Sequence, residues 1–300
     1  MEKTSVIIEG GGMRGIYVAG VLDALIQHNL YWNNVYGVSA GACHGLSYIS
    51  RQFDRARIVN VNYAEKSQYS GLFCVLRYGT YFGFDYIFRK IPQKHPIDWV
   101  TFFNNQNNDR KFFVTVTDAE TGQANYMNPQ TPKEAITWIE ASSSLPIIGK
   151  PVYFKDKIWY DGGISDSIPI EKAIQDGQTK HIIILTQPEG YKKSPISNTT
   201  KKALEKMYKK YPALITANIE RAEKYNKTID LINKLEKEGK AFVFRPHKDS
   251  IVGRLCKNKK KLQTLYESGY QDGLKNIQKL IEFSKPTTEF YMKGVNNDNR

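Results

Sequence analysis

Residues 5–15 read SVIIEGGGMRG. This apolar run, which ends in glycines, is the strongest indication of the fold. The apolar residues predict a buried strand, and residues 14–28, apolar nearly all round, predict a buried helix. Glycines between a strand and a helix let the backbone approach a ligand, and the helix N-terminus adds positive partial charge. The stretch therefore predicts a cradle for an anion or an oxyanion.

The same glycines also match a nucleotide-binding pattern. Gly10, Gly12 and Gly15 satisfy G-x-G-x-x-G literally. A dinucleotide site needs an acidic residue about 20 positions further on, at the end of the second strand. Residues 33–39 read NNVYGVS and hold no acid. Taken alone, the glycine run leaves an oxyanion hole, a nucleotide site and a structural turn open.

A second motif, GVSAG at residues 37–41, lies between a predicted strand and a predicted helix. This G-x-S-x-G context is that of a nucleophile elbow, whose sharp turn crowds the neighbouring backbone. The positions two before and two after the serine must then be small, and here they are Gly37 and Gly41. The motif predicts that Ser39 is a nucleophile presented at the end of a strand.

A third motif supplies a base. Asp161 is followed by Gly162 and Gly163, directly after a short predicted strand at residues 158–160. Burial beside an apolar site raises the pKa of a carboxyl group and lets the carboxylate accept a serine proton. A D-G turn with no chemistry is the alternative for this motif.

A histidine base is the competing interpretation. The chain order Ser39, Asp161, His247 matches that of conventional α/β-hydrolase triads, although Pro246 and Lys248 indicate a surface loop. The sequence positions of three other histidines indicate structural or exposed roles: His28, His44 and His181. A Ser39–Asp161–His247 triad esterase is therefore the alternative to a serine–aspartate pair.

Strand and helix signals alternate through the first part of the chain. This alternation predicts an α/β fold, a three-layer α/β/α arrangement with a mostly parallel central sheet. After Tyr191 the sequence becomes lysine-rich and helical in composition. We expect a catalytic domain over residues 4–190 and a basic, helix-rich region over 191–300, whose strand at 241–245 can join the same sheet.

Charge and cysteine content bound the function classes. Residues 1–191 hold 18 basic and 18 acidic residues, so the whole net charge of +13 lies beyond them. Such asymmetry indicates an anionic partner, a lipid surface or a nucleic acid, or else a solvated lysine-rich surface. A non-enzymatic nucleotide- or nucleic-acid-binding protein is thus a third hypothesis, but the chain has no P-loop lysine or known nucleic-acid motif, and we expect no nucleic acid.

Location follows from the same kind of counting. The three cysteines lie far apart, and the N-terminus has neither the apolar run nor the cleavage site of a signal peptide. No apolar stretch approaches 18 residues. We expect a cytoplasmic protein that does not span a membrane.

Taken together, GGGMRG, GVSAG and DGG resemble the motifs of the patatin-like phospholipases, serine lipid acyl hydrolases with bacterial members. The stretch ASSSLP at 141–146 resembles the segment that precedes that family's catalytic aspartate, and the resemblance covers roughly residues 4–190. It implies a Ser39–Asp161 dyad without metal or cofactor, acting on lipid or phospholipid esters. It also implies an oxyanion hole at the glycine loop, formed by Gly10, Gly11 and Gly12 with Arg14 and Gly15 nearby.

Three further features bear on this resemblance. Ser167 stands where family members often carry asparagine, which puts a local hydrogen bond in doubt. Residues 70–91 hold seven aromatic side chains that could line an acyl pocket, touch a bilayer or pack as ordinary core. The run KNKKK at 257–261 carries four lysines, and two interpretations stay open: peripheral contact with the anionic headgroups of a membrane surface, or the solvated start of a helix.

Overall fold

A computed structural model describes residues 3–106 and 110–285 of the chain. The end of the expected basic region, residues 286–300, lies outside the described residues. Eight strands form a single sheet: β1 (Thr4–Ile8), β2 (Asn34–Val38), β3 (Lys111–Asp118), β4 (Ala124–Met127), β5 (Val152–Phe154), β6 (Lys157–Asp161), β7 (Lys180–Ile184) and β8 (Ala241–Phe244).

Helices of very different length connect and cover these strands. They are α1 (Ile16–Gln27), α2 (Ala40–Ile49), α3 (Arg55–Arg57), α4 (Leu72–Tyr78), α5 (Ile91–Lys94), α6 (Trp99–Asn104), α7 (Pro132–Ser142), α8 (Ile170–Gln175), α9 (Asn198–Met207), α10 (Pro212–Lys237), α11 (Lys259–Lys275) and α12 (Ile277–Phe283). Among the described residues, none of these helices combines the length and the apolar character needed to cross a membrane.

The sheet is parallel through its centre and antiparallel at one end. Its strand order is β5-β6-β3-β2-β1-β7-β8, and β4 also pairs with β3. The strands β3, β2, β1, β7 and β8 run parallel, whereas β4 and β6 are antiparallel to β3. The predicted mostly parallel sheet is confirmed.

Three layers follow from the side-chain alternation of the central strands. On β1, Val6 and Ile8 pack into one hydrophobic cluster, while Ile7 between them packs into another. The first cluster includes side chains of α1, α2, α7, α11 and α12, and the second includes side chains of α8 and α10. Because successive residues of a strand face opposite sides, each face of the sheet acquires its own helical layer.

The C-terminal third of the chain, residues 191–300 as far as the structure describes them, contributes to all three layers. The strand β8 pairs with β7 in parallel, α10 covers one face of the sheet, and α11 packs on α1 at the other. Glycines allow the close contact between α1 and α11. A Cβ atom at Gly20 would lie 2.1 Å from the Tyr266 carbonyl oxygen, and one at Gly269 would lie 2.0 Å from that of Tyr17.

Strand register places the ends of β2 and β6 close together. Val38, the residue before Ser39, pairs with Thr115 of β3. On the other side of β3, the next residue, Val116, pairs with Asp161. Val38 and Asp161, which are far apart in sequence, thus lie on either side of the single strand β3.

Candidate active site

Ser39 lies in the sharp turn between β2 and α2. Its backbone has φ 54° and ψ −125°, a conformation that residues other than glycine rarely adopt. A Cβ atom at Gly37 would lie 2.7 Å from the Cα of Ala42, and one at Gly41 would lie 2.5 Å from the carbonyl oxygen of Ile8. The turn therefore needs glycine at both positions, for the reason that the G-x-S-x-G spacing indicated.

A serine outside the elbow holds this turn in place. The backbone N–H of Ser39 donates to the Oγ of Ser142 (2.8 Å), and that hydroxyl donates to the carbonyl oxygen of Thr115 (2.6 Å). Two residues further on, the carbonyl of Ser144 accepts the backbone N–H of Asp161 (3.0 Å). The ASSSLP stretch thus contacts both the serine and the aspartate.

Asp161 ends β6 with its carboxyl group buried. The side chain is 2% exposed and accepts the backbone N–H of Gly163 (2.7 Å). Burial raises the pKa of this carboxyl group, whereas the nearby Arg221 charge, the Ser39 hydroxyl as a hydrogen-bond donor and the Gly163 N–H lower it. The carboxylate is consequently more basic than an exposed one and faces the Ser39 side chain.

The turn after Asp161 leaves no room for side chains. A Cβ atom at Gly162 would lie 2.1 Å from the Thr115 carbonyl oxygen, and one at Gly163 would lie 3.0 Å from both Asp161 Oδ1 and Arg221 Nη2. Ser167, at the position where asparagine was expected, donates its hydroxyl to the Gly163 carbonyl (2.8 Å). The serine therefore makes a local hydrogen bond to this turn.

The glycine loop after β1 lines the same cavity as Ser39 and Asp161. In the described part of the chain, no group accepts a hydrogen bond from the N–H of Gly10, Gly11 or Gly12. A Cβ atom at Gly11 would lie 2.6 Å from the Oγ1 of Thr186, and one at Gly12 would lie 2.7 Å from the carbonyl oxygen of Arg254. Close neighbours on both sides fix the loop and leave these donors free.

The two remaining residues of the glycine motif have different environments. Arg14 lines the cavity at Ser39, and its guanidinium nitrogens lie 3.1 and 3.2 Å from the Gln187 side-chain amide, which accepts from them when its oxygen is turned toward Arg14. Gly15 does not line that cavity. A Cβ atom there would lie 2.9 Å from His44 Nε2 and 3.0 Å from the Cβ of Ala40, so helix packing accounts for this glycine.

Two cavities meet at Ser39. The smaller, of about 30 Å³, is lined largely by charged side chains and glycines, and seven of the residues predicted for the site are among them: Gly10, Gly11, Gly12, Arg14, Ser39, Asp161 and Gly163. The larger, of about 370 Å³, is mainly apolar and includes Leu46, Val59, Phe82, Phe84, Phe88 and Ile97 in its wall. Three of the seven aromatic residues in the 70–91 segment thus line a cavity that begins at the serine.

No histidine among the described residues lines either cavity. His247 has a side chain that is 79% exposed and lies 3.5 Å from the Asp249 carboxylate. His44 is buried among apolar neighbours, and burial lowers its pKa to about 4. Among the described residues, the cavities at Ser39 are therefore lined by an aspartate and by no histidine.

Sequence reasoning missed four contributors to the site. Ser142 supports the elbow, and three cations from the C-terminal third line the small cavity: Lys193, Arg221 and Arg254. The ASSSLP stretch was a usable signal for the serine, since it resembled a family segment. The cations had none, because lysine and arginine are abundant throughout that region. Arg221 lies on α10, Arg254 lies in the loop before α11, and Lys193 lies in the segment after β7, where Asn226 of α10 binds its backbone.

Comparison with known proteins gives two family matches. A model described as patatin-like phospholipase matches residues 6–174, which is more than half of the chain. A second model, described as a domain of unknown function (DUF6363), matches residues 211–285. The three cations just named lie outside the first match, and two of them, Arg221 and Arg254, lie within the second.

The individual relatives described next are at most 29% identical to this chain. The chain is 29% identical over 188 residues to the uncharacterized protein YjjU of Escherichia coli K12, covering 62% of this chain and 52% of that protein. It is 25% identical over 205 residues to the lysophospholipase NTE1 of Scheffersomyces stipitis, covering 65% of this chain and 12% of the relative. The chain thus spans about half the length of the first relative and much less of the second.

One solved structure that aligns with this chain is that of VipD from Legionella pneumophila. It aligns with a TM-score of 0.46 at 12% sequence identity, covering 93% of this chain and 67% of that chain.

Proposed function

The chain belongs to the patatin-like phospholipase family, and from this premise we propose that it hydrolyses carboxylic ester bonds of lipids through an acyl-serine on Ser39. One observation carries the proposal. Ser39, the buried Asp161 carboxylate and the free N–H groups of residues 10–12 line one small cavity, and a larger apolar cavity begins at the same serine. A nucleophile, a base, oxyanion donors and room for an acyl chain are thus side by side.

In the proposed reaction, the Ser39 hydroxyl oxygen attacks the ester carbonyl carbon while Asp161 takes the hydroxyl proton. The carbon–oxygen bond to the alcohol then breaks, and the leaving alcohol receives the proton from Asp161. Water attacks the acyl-serine in the second half, and Asp161 transfers a water proton to the Ser39 oxygen as the carboxylic acid leaves. Burial supports this role of Asp161, since it raises the pKa of the carboxyl group and strengthens the base.

The glycine loop is the proposed oxyanion hole. Negative charge develops on the carbonyl oxygen in the tetrahedral intermediate, and fixed N–H donors stabilise that charge at about 3 kcal/mol for a good donor. Gly10, Gly11 and Gly12 have N–H groups without other partners in the described chain, and Thr186 and Arg254 hold the loop from either side. No reorganisation is then needed when the charge appears.

We also propose that a surface beside the apolar cavity contacts membranes. Ile148 and Leu255 line the cavity and are 38% and 42% exposed, so they lie where it reaches the protein surface. Tyr81 donates its N–H to Ile148 and accepts that of Gly71, which directly precedes α4. The apolar side chains of α4 are strongly exposed: Leu72, Phe73, Val75 and Leu76.

The basic run of the C-terminal third begins at this same surface. Lys257 donates its Nζ to the carbonyl of Ser70 (2.9 Å), next to the start of α4. Apolar side chains for the interface and lysines for anionic headgroups are thus adjacent, which is the combination that peripheral membrane contact requires.

The hydrolase proposal is tested with Ser39→Ala, Asp161→Asn and the control His247→Ala. We expect each of the first two to lower lipid ester hydrolysis about 10³-fold or more, and the control to retain wild-type turnover. A fluorophosphonate probe should label wild-type protein at Ser39. Loss of turnover in His247→Ala would replace the dyad with a triad, and absence of labelling in folded protein would refute the nucleophile.

The pH profile gives an independent check on the base. Because burial raises the Asp161 pKa above the ordinary value of 3.8, kcat/KM should fall as pH decreases through that raised pKa. A profile whose acidic limb instead requires deprotonation of an exposed imidazole, and which disappears in His247→Ala, would contradict Asp161 as base.

A further inference from the structure

The large apolar cavity at Ser39 follows one face of α2. The α2 residues in its wall recur at steps of three or four positions, as residues on a single helix face do: Ala40, Cys43, Leu46 and Ser47. Ser47 comes eight positions after Ser39. At about 1.5 Å per residue, the cavity therefore extends about 12 Å along α2 from the proposed nucleophile.

A cation lies in the far part of this cavity. Arg55 lines the wall, and its guanidinium donates to the Oγ of Ser47 (3.4 Å) and to the carbonyl oxygen of His95 (3.3 Å). Ser47 and the adjacent wall residue Ala56 are both buried. The other cationic lining residue among those described, Arg254, binds the glycine loop through its carbonyl and thus lies at the Ser39 end.

Arg55 has no acidic partner in the described part of the chain. No carboxylate among those residues lines the large cavity, and Arg55 forms no ion pair with any of them. The adjacent acid, Asp54, binds the guanidinium of Arg57 instead (2.7 Å between Oδ2 and Nη2). The buried Nε of Arg55 also has no hydrogen-bond partner there. Its two hydrogen bonds reach neutral oxygens only, so no opposite charge offsets this cation.

Desolvation makes this unpaired cation unfavourable. Burial lowers the pKa of Arg55 to about 10, so the guanidinium is still charged at neutral pH. The Cys43 thiol, which opposes that shift, is itself neutral at pH 7, because burial raises its pKa to about 11. A buried charge without a partner gains free energy when an ion of opposite sign joins it.

An acyl chain on Ser39 that follows α2 would bring its far end to Arg55. With carbon–carbon bonds of about 1.5 Å in a zigzag, an extended chain of about nine carbons covers this length of the cavity. We infer that Arg55 binds a carboxylate at the far end of the acyl chain, so that the cavity selects esters of medium-chain dicarboxylic acids. The inference rests on the proposed hydrolase function and adds the chemical class of the acyl group to it.

Four glycerol monoesters in the same detergent solution test the carboxylate in wild-type protein. Nonanoyl and azelaoyl glycerol share a nine-carbon chain and differ only in its terminal methyl or carboxylate group. Butanoyl and succinoyl glycerol repeat that difference in a four-carbon chain, which is too short to reach Arg55. The short pair controls for a general attraction of anionic substrates to this basic protein, including attraction to Arg254.

We expect wild-type kcat/KM to be higher for azelaoyl than for nonanoyl glycerol, because the carboxylate pairs with a cation that otherwise has no counter-charge. The azelaoyl-to-nonanoyl ratio should exceed the succinoyl-to-butanoyl ratio about 10-fold or more. A nine-carbon ratio of one or less, or a four-carbon ratio that is just as high, overturns the inference.

Arg55→Gln tests the residue itself. It removes the charge and keeps a polar side chain, so the azelaoyl-to-nonanoyl ratio should fall about 100-fold. Arg51→Gln is the matched control and should retain the ratio, since Arg51 is exposed, lies over the Tyr31 ring and does not line the cavity. An undiminished ratio in Arg55→Gln overturns the role of Arg55. If that variant does not fold, the two chain lengths in wild-type protein decide.

A free fatty acid is the other source of a carboxylate, since it would reach Arg55 by lying in the cavity with its methyl end toward Ser39. Inhibition of butanoyl glycerol hydrolysis by nonanoate measures this binding. Nonanoate inhibition that weakens in Arg55→Gln, without any preference for the azelaoyl ester, overturns the acyl-chain assignment in favour of a bound fatty acid.

Failure of the hydrolase proposal is recognised separately. If none of the four esters is cleaved and a fluorophosphonate does not label Ser39, the catalytic function is wrong, and direct binding then decides the carboxylate site. Monomethyl azelate should raise the wild-type unfolding temperature, with a smaller rise in Arg55→Gln. An equal rise in both proteins, or none in wild-type protein, overturns the carboxylate site itself.

Discussion

The family-matched part, residues 6–174, and the C-terminal third contribute different chemistry to one cavity. The first contains Ser39, Asp161 and the glycine loop, and the sequence up to residue 191 is electrically balanced. The second carries the whole net positive charge and places Lys193, Arg221 and Arg254 beside the serine. The residues predicted to react come from one region, and the cations that line the cavity come mainly from the other.

The C-terminal third contributes to the fold as well as to the charge of the cavity. It supplies the edge strand β8 and helices on both faces of the sheet. It also touches the glycine loop directly, because the Arg254 carbonyl accepts the N–H of Met13 (3.0 Å). The next three predictions ask how far the two regions depend on each other.

The largest effect should come from the contact between α1 and α11. In Gly269→Ala, the new Cβ would lie 2.0 Å from the Tyr17 carbonyl oxygen, which is backbone and cannot rotate away. We expect the free energy of unfolding to fall by about 4 kcal/mol or more, measured by urea denaturation. Gly253→Ala is the control, since no atom lies within 4 Å of its Cβ position. A loss below about 1 kcal/mol in Gly269→Ala would mean that the C-terminal third is not packed on α1 this tightly.

An intermediate effect should come from within the family-matched part. Ser142→Ala leaves the Ser39 N–H and the Thr115 carbonyl without their shared partner, at a cost of about 1–3 kcal/mol. We expect kcat to fall about 10- to 100-fold with a smaller change in KM, because the elbow loses its support. Fluorophosphonate labelling of Ser39 should slow in parallel.

Ser144→Ala is the matched control for that variant. It removes only a hydroxyl bonded to the Glu140 carbonyl (2.9 Å) and keeps the backbone carbonyl that accepts the Asp161 N–H. We expect it to retain most of the turnover. Equal losses in both variants would show that the region around Ser142 acts through general stability and not through the elbow.

The smallest effect should be on membrane adsorption, to which α4 of the family-matched part and the lysines of the C-terminal third are expected to contribute differently. Leu72→Ser with Leu76→Ser removes side chains that are 72% and 79% exposed, and should weaken adsorption to phosphatidylcholine–phosphatidylglycerol vesicles several-fold at both low and high salt. Changing the lysines at 259–261 to glutamine should weaken adsorption mainly at low salt, because salt screens their attraction.

Vesicle sedimentation measures both effects. Val100→Ser is the control, since Val100 is 72% exposed on α6 and lines neither cavity. If the α4 variant adsorbs as strongly as this control, α4 does not contact the membrane and the lysines act alone. If adsorption is equal on neutral and anionic vesicles, the lysines contribute nothing.

The motifs of this protein could be predicted from its amino-acid sequence, because each depends on residues close together in the chain. Gly37 and Gly41 are required by atoms close by in the elbow and in the adjacent strand β1, so their spacing was sufficient to predict the turn at Ser39. Alternating strands and helices predicted the three layers, because each apolar strand must be covered on both faces. The period of apolar residues and the spacing of glycines involve neighbouring positions only, so both are visible in a single sequence.

Contacts between residues far apart in sequence could not be predicted, because they depend on how the strands pair and how the helices pack. On β3, Val116 pairs with Asp161 of the antiparallel strand β6, and the preceding residue, Thr115, pairs with Val38 of β2. No local sequence pattern encodes that register. The desolvation of Arg221 and Lys193 depends on how α10 packs across the sheet, so the sequence, with its many similar lysines and arginines, did not indicate that the pKa values of these two would be lowered. Charge and desolvation act through space, and the distances that govern them exist only once the chain has folded.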